Sequence, residues 1–224
     1  MINIITEFIL VMHIIHRGII NSNFKENILT SFKKSFSKGF GIETDIHLTK
    51  DNKFICFHDF TLNRIFKKNL CVKNLEYSYI KRISAFKKKP VPLLNELLKI
   101  SKNKFPLLIE IKPYFSKKIL NKLVKETAKY KKCIFISFKH KNIYNLLKIK
   151  SDIKVGLSFS KISSIKKIIE KSKYDKINFF VLDKVFLNNK KIQDLKVKKF
   201  FYTIKKKTEF KKYSKNNSLI FENF

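Results

Sequence analysis

Three observations predict an α/β fold, a (β/α)8 barrel with an extra hairpin strand after the second barrel strand. Eight short apolar runs read as strands, amphipathic patterns between them read as helices, and one link between strands is too short to cross over. The length of 224 residues suits one such barrel, so a single domain is expected over 1–224. Residues 1–11 read as a non-core N-terminal extension, with Met12 as a second candidate start.

In chain order the strand runs are 11–16 (VMHIIH), 41–47 (GIETDIH), 105–112 (FPLLIEIK) and 133–138 (CIFISF). They continue with 153–157 (IKVGL), 177–182 (INFFVL), 198–204 (KKFFYTI) and 218–222 (SLIFE). Most are rich in β-branched or aromatic residues, as strands packed on both faces are. Helical spacing recurs between them: Ile28, Leu29, Phe32 and Phe36, then Leu93, Leu94, Leu97 and Leu98. Ile119, Leu120, Leu123 and Val124 repeat it, as do Ile162, Ile165, Ile168 and Ile169. The run 53–58 (KFICFH) follows 41–48 after only TKDN, and so short a link cannot make a parallel crossover. The two must form a hairpin, and pairing Leu48 with Lys53 sets Glu43 opposite His58. The lysine-rich segment 66–91, ending KKKPVP, reads as an irregular surface excursion before a helix over 92–102.

Hydrophobic residues make up 44% of the chain, with 23 Phe, which supports a large core and excludes a disordered chain. No uncharged apolar run is long enough for a membrane-spanning helix. The opening MINIITEFILVMHII carries Glu7 and has no basic segment before it, so it does not read as a signal peptide. Cys56, Cys71 and Cys133 are odd in number and scattered, as reduced core residues of a cytoplasmic protein would be. The net charge of +33 admits peripheral contact with an anionic membrane. Its lysines are spread from end to end, with only three arginines and no Trp, the profile of an AT-rich genome. Nucleic acid is therefore disfavoured as a partner.

Against that background the rare residue types stand out. Two of the three arginines, four of the five histidines and three of the four glycines fall within residues 13–64, which marks the N-terminal third as chemically constrained. Alternation along a strand puts Glu43, Asp45 and His47 on one face, and Leu108, Glu110 and Lys112 on one face of another. Three converging carboxylates repel one another unless a cation sits among them, and oxygen-only ligation suits a hard ion, Mg²⁺ or Ca²⁺. His16 ends the first strand, ahead of Arg17 and Gly18, and His58 ends the hairpin strand. Two imidazoles can serve as general acid and general base, while Arg17 and Lys112 can hold an anionic substrate. A divalent ion, two histidines and two cations suit phosphoryl transfer. The remaining groups read as structural. His13 faces a helix or the barrel floor, His47 stands behind the site, His140 starts a helix, and Arg64 pairs with Asp59. Lys139 reads mainly as a solvated surface residue near a strand end.

The motifs HRG (16–18), EN (26–27), ETDIHLTKD (43–51), FHDFTLNR (57–64), VPLLNELL (91–98) and IEIK (109–112) together resemble the glycerophosphodiester phosphodiesterase family. Weaker echoes run to IFENF at 220–224, so the resemblance spans nearly the whole chain. It implies a barrel and a metal-dependent hydrolase, with Glu43, Asp45 and Glu110 as metal ligands and His16 and His58 as the acid–base pair. Arg17 and Lys112 would bind phosphate. Tyr202 stands where the family usually has Trp, and the closing Thr-Asp-x-Pro is replaced by ENF. The expected reaction is hydrolysis of glycerophosphodiesters, small deacylated phospholipids, to glycerol 3-phosphate and an alcohol. Two other readings stay open: cleavage of lysophospholipids at a membrane surface, and an inactive barrel that binds anionic lipid or nucleic acid.

Overall fold

Eight strands close into a parallel ring in the computed structural model, which describes residues 11–222. They are β1 (Ile14–His16), β2 (Gly41–Leu48), β4 (Leu107–Ile111), β5 (Cys133–Ser137), β6 (Val155–Phe159), β7 (Phe179–Asp183), β8 (Lys198–Ile204) and β9 (Ser218–Phe221). β1 pairs with both β2 and β9, which closes the barrel. The short β3 (Phe54–Cys56) lies outside it, antiparallel to β2. The predicted barrel and its extra hairpin strand are both present. The suggested extension 1–11 falls almost wholly outside the described residues.

The register of the hairpin differs from expectation by one residue. Ile46 faces Cys56, and Leu48 faces Phe54 rather than Lys53. The turn explains the slip. Thr49 N–H donates to the Lys53 carbonyl at 3.0 Å, which leaves a three-residue loop, and Asn52 closes it in the left-handed region at φ 58°. Thr49 Oγ1 also accepts from Lys53 N at 3.0 Å. β3 ends at Cys56, so His58 lies past the ladder and does not face Glu43 across it.

Helices α1 (Leu29–Ser37), α2 (Asn63–Phe66), α3 (Tyr77–Phe86), α4 (Leu94–Ser101), α5 (Lys117–Thr127), α6 (His140–Ile149), α7 (Ile165–Lys171), α8 (Lys190–Gln193) and α9 (Lys207–Tyr213) occupy the links. Apolar side chains divide by strand alternation. Ile42, Ile46, Ile109, Phe135, Leu157 and Phe180 point outward and bury the helix stripes, such as Phe32 and Phe36 of α1. Ile14, Leu108, Ile134, Ile136, Val181, Phe200 and Ile220 form a separate cluster that fills the barrel interior. Charged and polar side chains can therefore reach the interior only above this plug.

The segment 66–91 is more ordered than its composition suggests. α3 runs through it, and Val72, Tyr77, Ile80 and Val91 bury with Ile55, Phe57, Leu62 and Phe66 in a small core of their own. Its lysines cluster before α3 (Lys67, Lys68, Lys73) and in the turn after it (Lys87–Lys89), and they hide the apolar spacing of the helix between. Cys56 and Cys133 are core residues as expected. Cys71 is exposed, because it sits on the loop bridging to Thr61 rather than in a barrel strand.

Candidate active site

The site begins with a strained turn. After β1 the chain takes left-handed backbone at Arg17 (φ 55°) and at Gly18 (φ 78°). A Cβ on Gly18 would come within 3.0 Å of Phe32 and Ser31, so glycine is required there. A left-handed arginine is unfavourable and needs support from its surroundings. Arg17 N–H donates to the Glu43 carbonyl at 2.9 Å, and the Arg17 carbonyl accepts from Asn27 N–H at 2.9 Å. Asn27 Oδ1 in turn accepts from Thr44 Oγ1 at 2.8 Å. The HRG and EN segments are thus one physical unit fastened to β2, and the turn aims both His16 and Arg17 at the barrel mouth.

β2 and β4 run side by side with Asp45 opposite Glu110 and Glu43 opposite Leu108. Glu43, Asp45 and Glu110 are all buried, and one oxygen from each lies within 4.8 Å of the others. Lys112 Nζ reaches Glu110 at 2.9 Å and Asp45 at 3.4 Å, while Arg17 Nε lies 3.2 Å from Asp45 Oδ2. Burial, then the charge of Asp45, pushes Glu43 well above the usual carboxylate range and Glu110 up to about 7. Burial also opposes ionisation of Asp45, but Arg17 and Lys112 outweigh it and hold Asp45 low. Glu43 Oε2 and Asp45 Oδ2 are buried without a hydrogen bond. Buried carboxylate oxygens that make no hydrogen bond of their own, in an all-carboxylate set, are what a hard divalent cation would satisfy, so these residues fit the ion that the sequence implies.

Both histidines are held by a carboxylate on the same ring nitrogen. His16 Nδ1 donates to Glu222 at 2.7 Å, and its Nε2 lies 3.7 Å from Glu43. His58 Nδ1 donates to Asp59 at 2.6 Å. Asp59 is clamped by Arg64 Nε at 2.7 Å, and Arg64 also grips Glu26 at 2.6 and 3.0 Å. Arg64 therefore pairs with Asp59 as expected and with Glu26 as well. His47 Nε2 donates to the His58 carbonyl at 3.1 Å, so it buttresses the site from behind, and burial pushes it down to about 4. Burial also holds His58 below the ordinary imidazole range. Each ring leaves Nε2 as the nitrogen available to the cavity.

That cavity, about 260 Å³, brings together six of the seven predicted residues as lining: His16, Arg17, Glu43, His58, Glu110 and Lys112. Asp45 lies just beneath, bound to Arg17 and Lys112. The opposite wall is largely apolar, formed by Ile136, Phe138, Val181, Tyr202 and Ile220. Lys139 does not line it. Its ammonium sits 4.7 Å over the Tyr114 ring. His13 packs on Phe210 of α9 at 4.9 Å, and His140 opens α6 and donates to the Ser158 carbonyl at 3.0 Å.

Residues 16–216 match the model of the glycerophosphoryl diester phosphodiesterase family. The chain belongs to that family. A glycerophosphodiester phosphodiesterase of Caldanaerobacter subterraneus subsp. tengcongensis is 31% identical over 161 residues, covering 65% of this chain and 65% of that protein. The match thus spans just under two thirds of that relative's length. A second, from Bacillus altitudinis, is 35% identical over 107 residues, or 43% of each chain. Among solved structures, the glycerophosphodiester phosphodiesterase of Thermotoga maritima superposes with a TM-score of 0.80 at 20% identity, covering 95% of this chain and 94% of its own. An Oleispira antarctica phosphodiesterase, solved with its product sn-glycerol-3-phosphate, also gives 0.80 at 20% identity, covering 94% and 92%. These structural likenesses establish the shared fold.

For a member of this family, two residues of the site were missed in the sequence. Glu222 stands in the ENF that replaces the closing motif, yet its carboxylate holds His16. Inward-facing alternation after Ile220 was the signal that could have found it. Asp59 was read only as a partner for Arg64, although its place directly after His58 let it reach that ring.

Proposed function

We propose that this protein is a metal-dependent phosphodiesterase that cleaves glycerophosphodiesters to glycerol 3-phosphate and an alcohol. The observation that carries the reading is the shared cavity: two imidazoles, each anchored through Nδ1, face three buried carboxylates and two cations. Glu43, Asp45 and Glu110 would hold the divalent ion, Mg²⁺ or Ca²⁺. Bound there, the ion would polarise a phosphate oxygen and lower the pKa of a neighbouring hydroxyl. Arg17 and Lys112 bind the phosphoryl oxygens and stabilise the charge that builds on them. Of His16 and His58, one takes the proton from the nucleophile and the other gives a proton to the departing alkoxide. Glu222 and Asp59 fix the ring tautomers so that Nε2 faces the reacting atoms. The protein acts as a single barrel domain in the cytoplasm, in phospholipid turnover and recovery of glycerol 3-phosphate.

Within the same chemistry, the apolar wall favours one further substrate class, lysophospholipids, whose acyl chain would need such a surface beside the phosphate subsite. Peripheral contact with an anionic membrane would deliver them. The deciding experiment is release of glycerol 3-phosphate from glycerophosphocholine and glycerophosphoethanolamine with Mg²⁺, Ca²⁺ or EDTA, with His16→Ala alongside. Metal-dependent release abolished in the variant is expected. No release with any ion from folded protein would overturn the substrate, and release of phosphorylated product from lysolipid alone would select the second class.

A further inference from the structure

Lysine covers this chain from end to end, so positive charge by itself marks no face. Exposed apolar side chains do. Among the described residues eight large ones are exposed, and five follow strand ends around the cavity: Phe60, Tyr114, Phe138, Ile162 and Val185. Tyr114, Phe138, Ile162 and Val185 come within three residues of the ends of β4, β5, β6 and β7 respectively. Phe60 packs edge-on against His47 at a centroid distance of 5.0 Å, which puts it beside the His58 loop. Phe138 both lines the cavity and stands 41% exposed, and Ile162 is 88% exposed. Of the other three, two lie on the 66–91 excursion. Tyr174 precedes β7 at the far end of the barrel, where Lys171 covers its ring at 5.3 Å.

Cations interleave with these tips. Lys139 lies over Tyr114, Lys161 adjoins Ile162, Lys184 adjoins Val185, and Lys205 and Lys206 follow β8. Most carboxylates at this end are already engaged by cations: Glu26 and Asp59 by Arg64, Glu209 by Lys184, and Glu222 by His16 and Lys205, while Asp183 at the end of β7 accepts from Val185 N–H at 3.0 Å. The face therefore presents exposed apolar tips with lysines between them and little free negative charge. The tips sit on separate loops and form no continuous groove of the kind a helix or strand of a protein partner would fill. A bilayer needs no groove, only apolar groups that enter its interface and cations at headgroup level.

We propose that the strand-end face around the cavity mouth docks on an anionic lipid bilayer, with Ile162 and Val185 among the inserting tips. This rests on the proposed function only in taking that cavity as the place where substrate enters. The test is co-sedimentation with vesicles of equal parts phosphatidylcholine and phosphatidylglycerol, against vesicles of phosphatidylcholine alone. Wild-type protein should bind the anionic vesicles and respond to salt. The double variant Ile162→Ser, Val185→Ser should bind them roughly tenfold or more weakly, as loss of two inserting aliphatic side chains implies. Tyr174→Ser, at the opposite end, should bind as wild type does. The chain has no Trp, so Ile162→Trp adds a lone reporter, and its emission should shift to the blue on anionic vesicles while that of Tyr174→Trp does not. Equal binding by the double variant, or no blue shift at position 162, would overturn the proposal. Turnover of glycerophosphocholine by the same double variant isolates the two readings. It should match wild type, and absence of turnover in both proteins would count against the function while leaving the docking face to the vesicle result.

Discussion

The two halves of the barrel wall differ in kind. β1 to β4, with the turns that follow them, supply every charged group predicted for the site. β5 to β9 supply an apolar wall, with one exception. In the first half most charges are compensated by others from the same stretch, through Glu26, Arg64, Asp59 and His58 on one side and Arg17, Asp45, Lys112 and Glu110 on the other, which leaves Glu43 without a lysine or arginine ion pair of its own among the described residues. Buried charges are tolerable only when paired, so chemistry of this kind comes as a network. The exception is Glu222, which reaches His16 across 206 residues of chain because β9 closes on β1. In the proposed reaction one half of the barrel would carry the chemistry, and closure of the whole barrel would complete the site.

Breaking the charged half should have the largest effect. His58→Ala is expected to lower kcat by about 10²–10⁴-fold with the fold intact, as loss of a general acid or base does. A smaller loss, roughly 10–100-fold, is expected for Glu222→Ala, the one contribution of the other half to the histidines. It should fall on kcat more than KM, and Glu222→Asp should recover part of it. Steady-state kinetics on glycerophosphocholine separates the two.

The buried carboxylates also make a statement about pH. Burial and the charge of Asp45 hold the Glu110 proton up to about 7, and a cation must displace that proton to bind. Divalent-ion affinity should therefore fall as pH drops through about 7, by about tenfold per unit for each proton displaced, and Glu43, also raised by burial, should add to the fall. Calorimetric titration at two pH values, in buffers of different ionisation enthalpy, reads both the affinity and the released proton. The smallest effect is expected from the apolar half. Val181→Ala should leave catalysis of small substrates within roughly tenfold and change the preference among alcohol groups instead.

The barrel was legible because its signals are redundant: eight apolar runs, each bounded by helical spacing or turns. The site was legible because rare residue types gathered in 13–64, and strand alternation alone put Glu43 and Asp45 on one face. What failed depended on one-residue geometry or on contacts distant in sequence. The hairpin register hung on Asn52 adopting left-handed backbone, which shortens the loop to three residues. The order in 66–91 was masked by lysines lying between apolar positions that bury together. Glu222 looked like the remnant of a lost motif, because nothing local to it announces His16.

The central claim is that Glu43, Asp45 and Glu110 are arranged for a cation rather than for stability, and thermal unfolding with and without a divalent ion tests it most directly. Glu43 is raised in the folded state, so its ionised form lowers stability increasingly as pH rises above the ordinary carboxylate range. Near pH 8 without metal, Glu43→Gln should unfold at a higher temperature than wild type, by about 2–4 °C for each kcal/mol relieved. Added Mg²⁺ or Ca²⁺ should raise the wild-type midpoint and leave the variant's nearly unmoved. A variant that melts lower than wild type without metal, together with a wild type that ignores both ions, would contradict the claim.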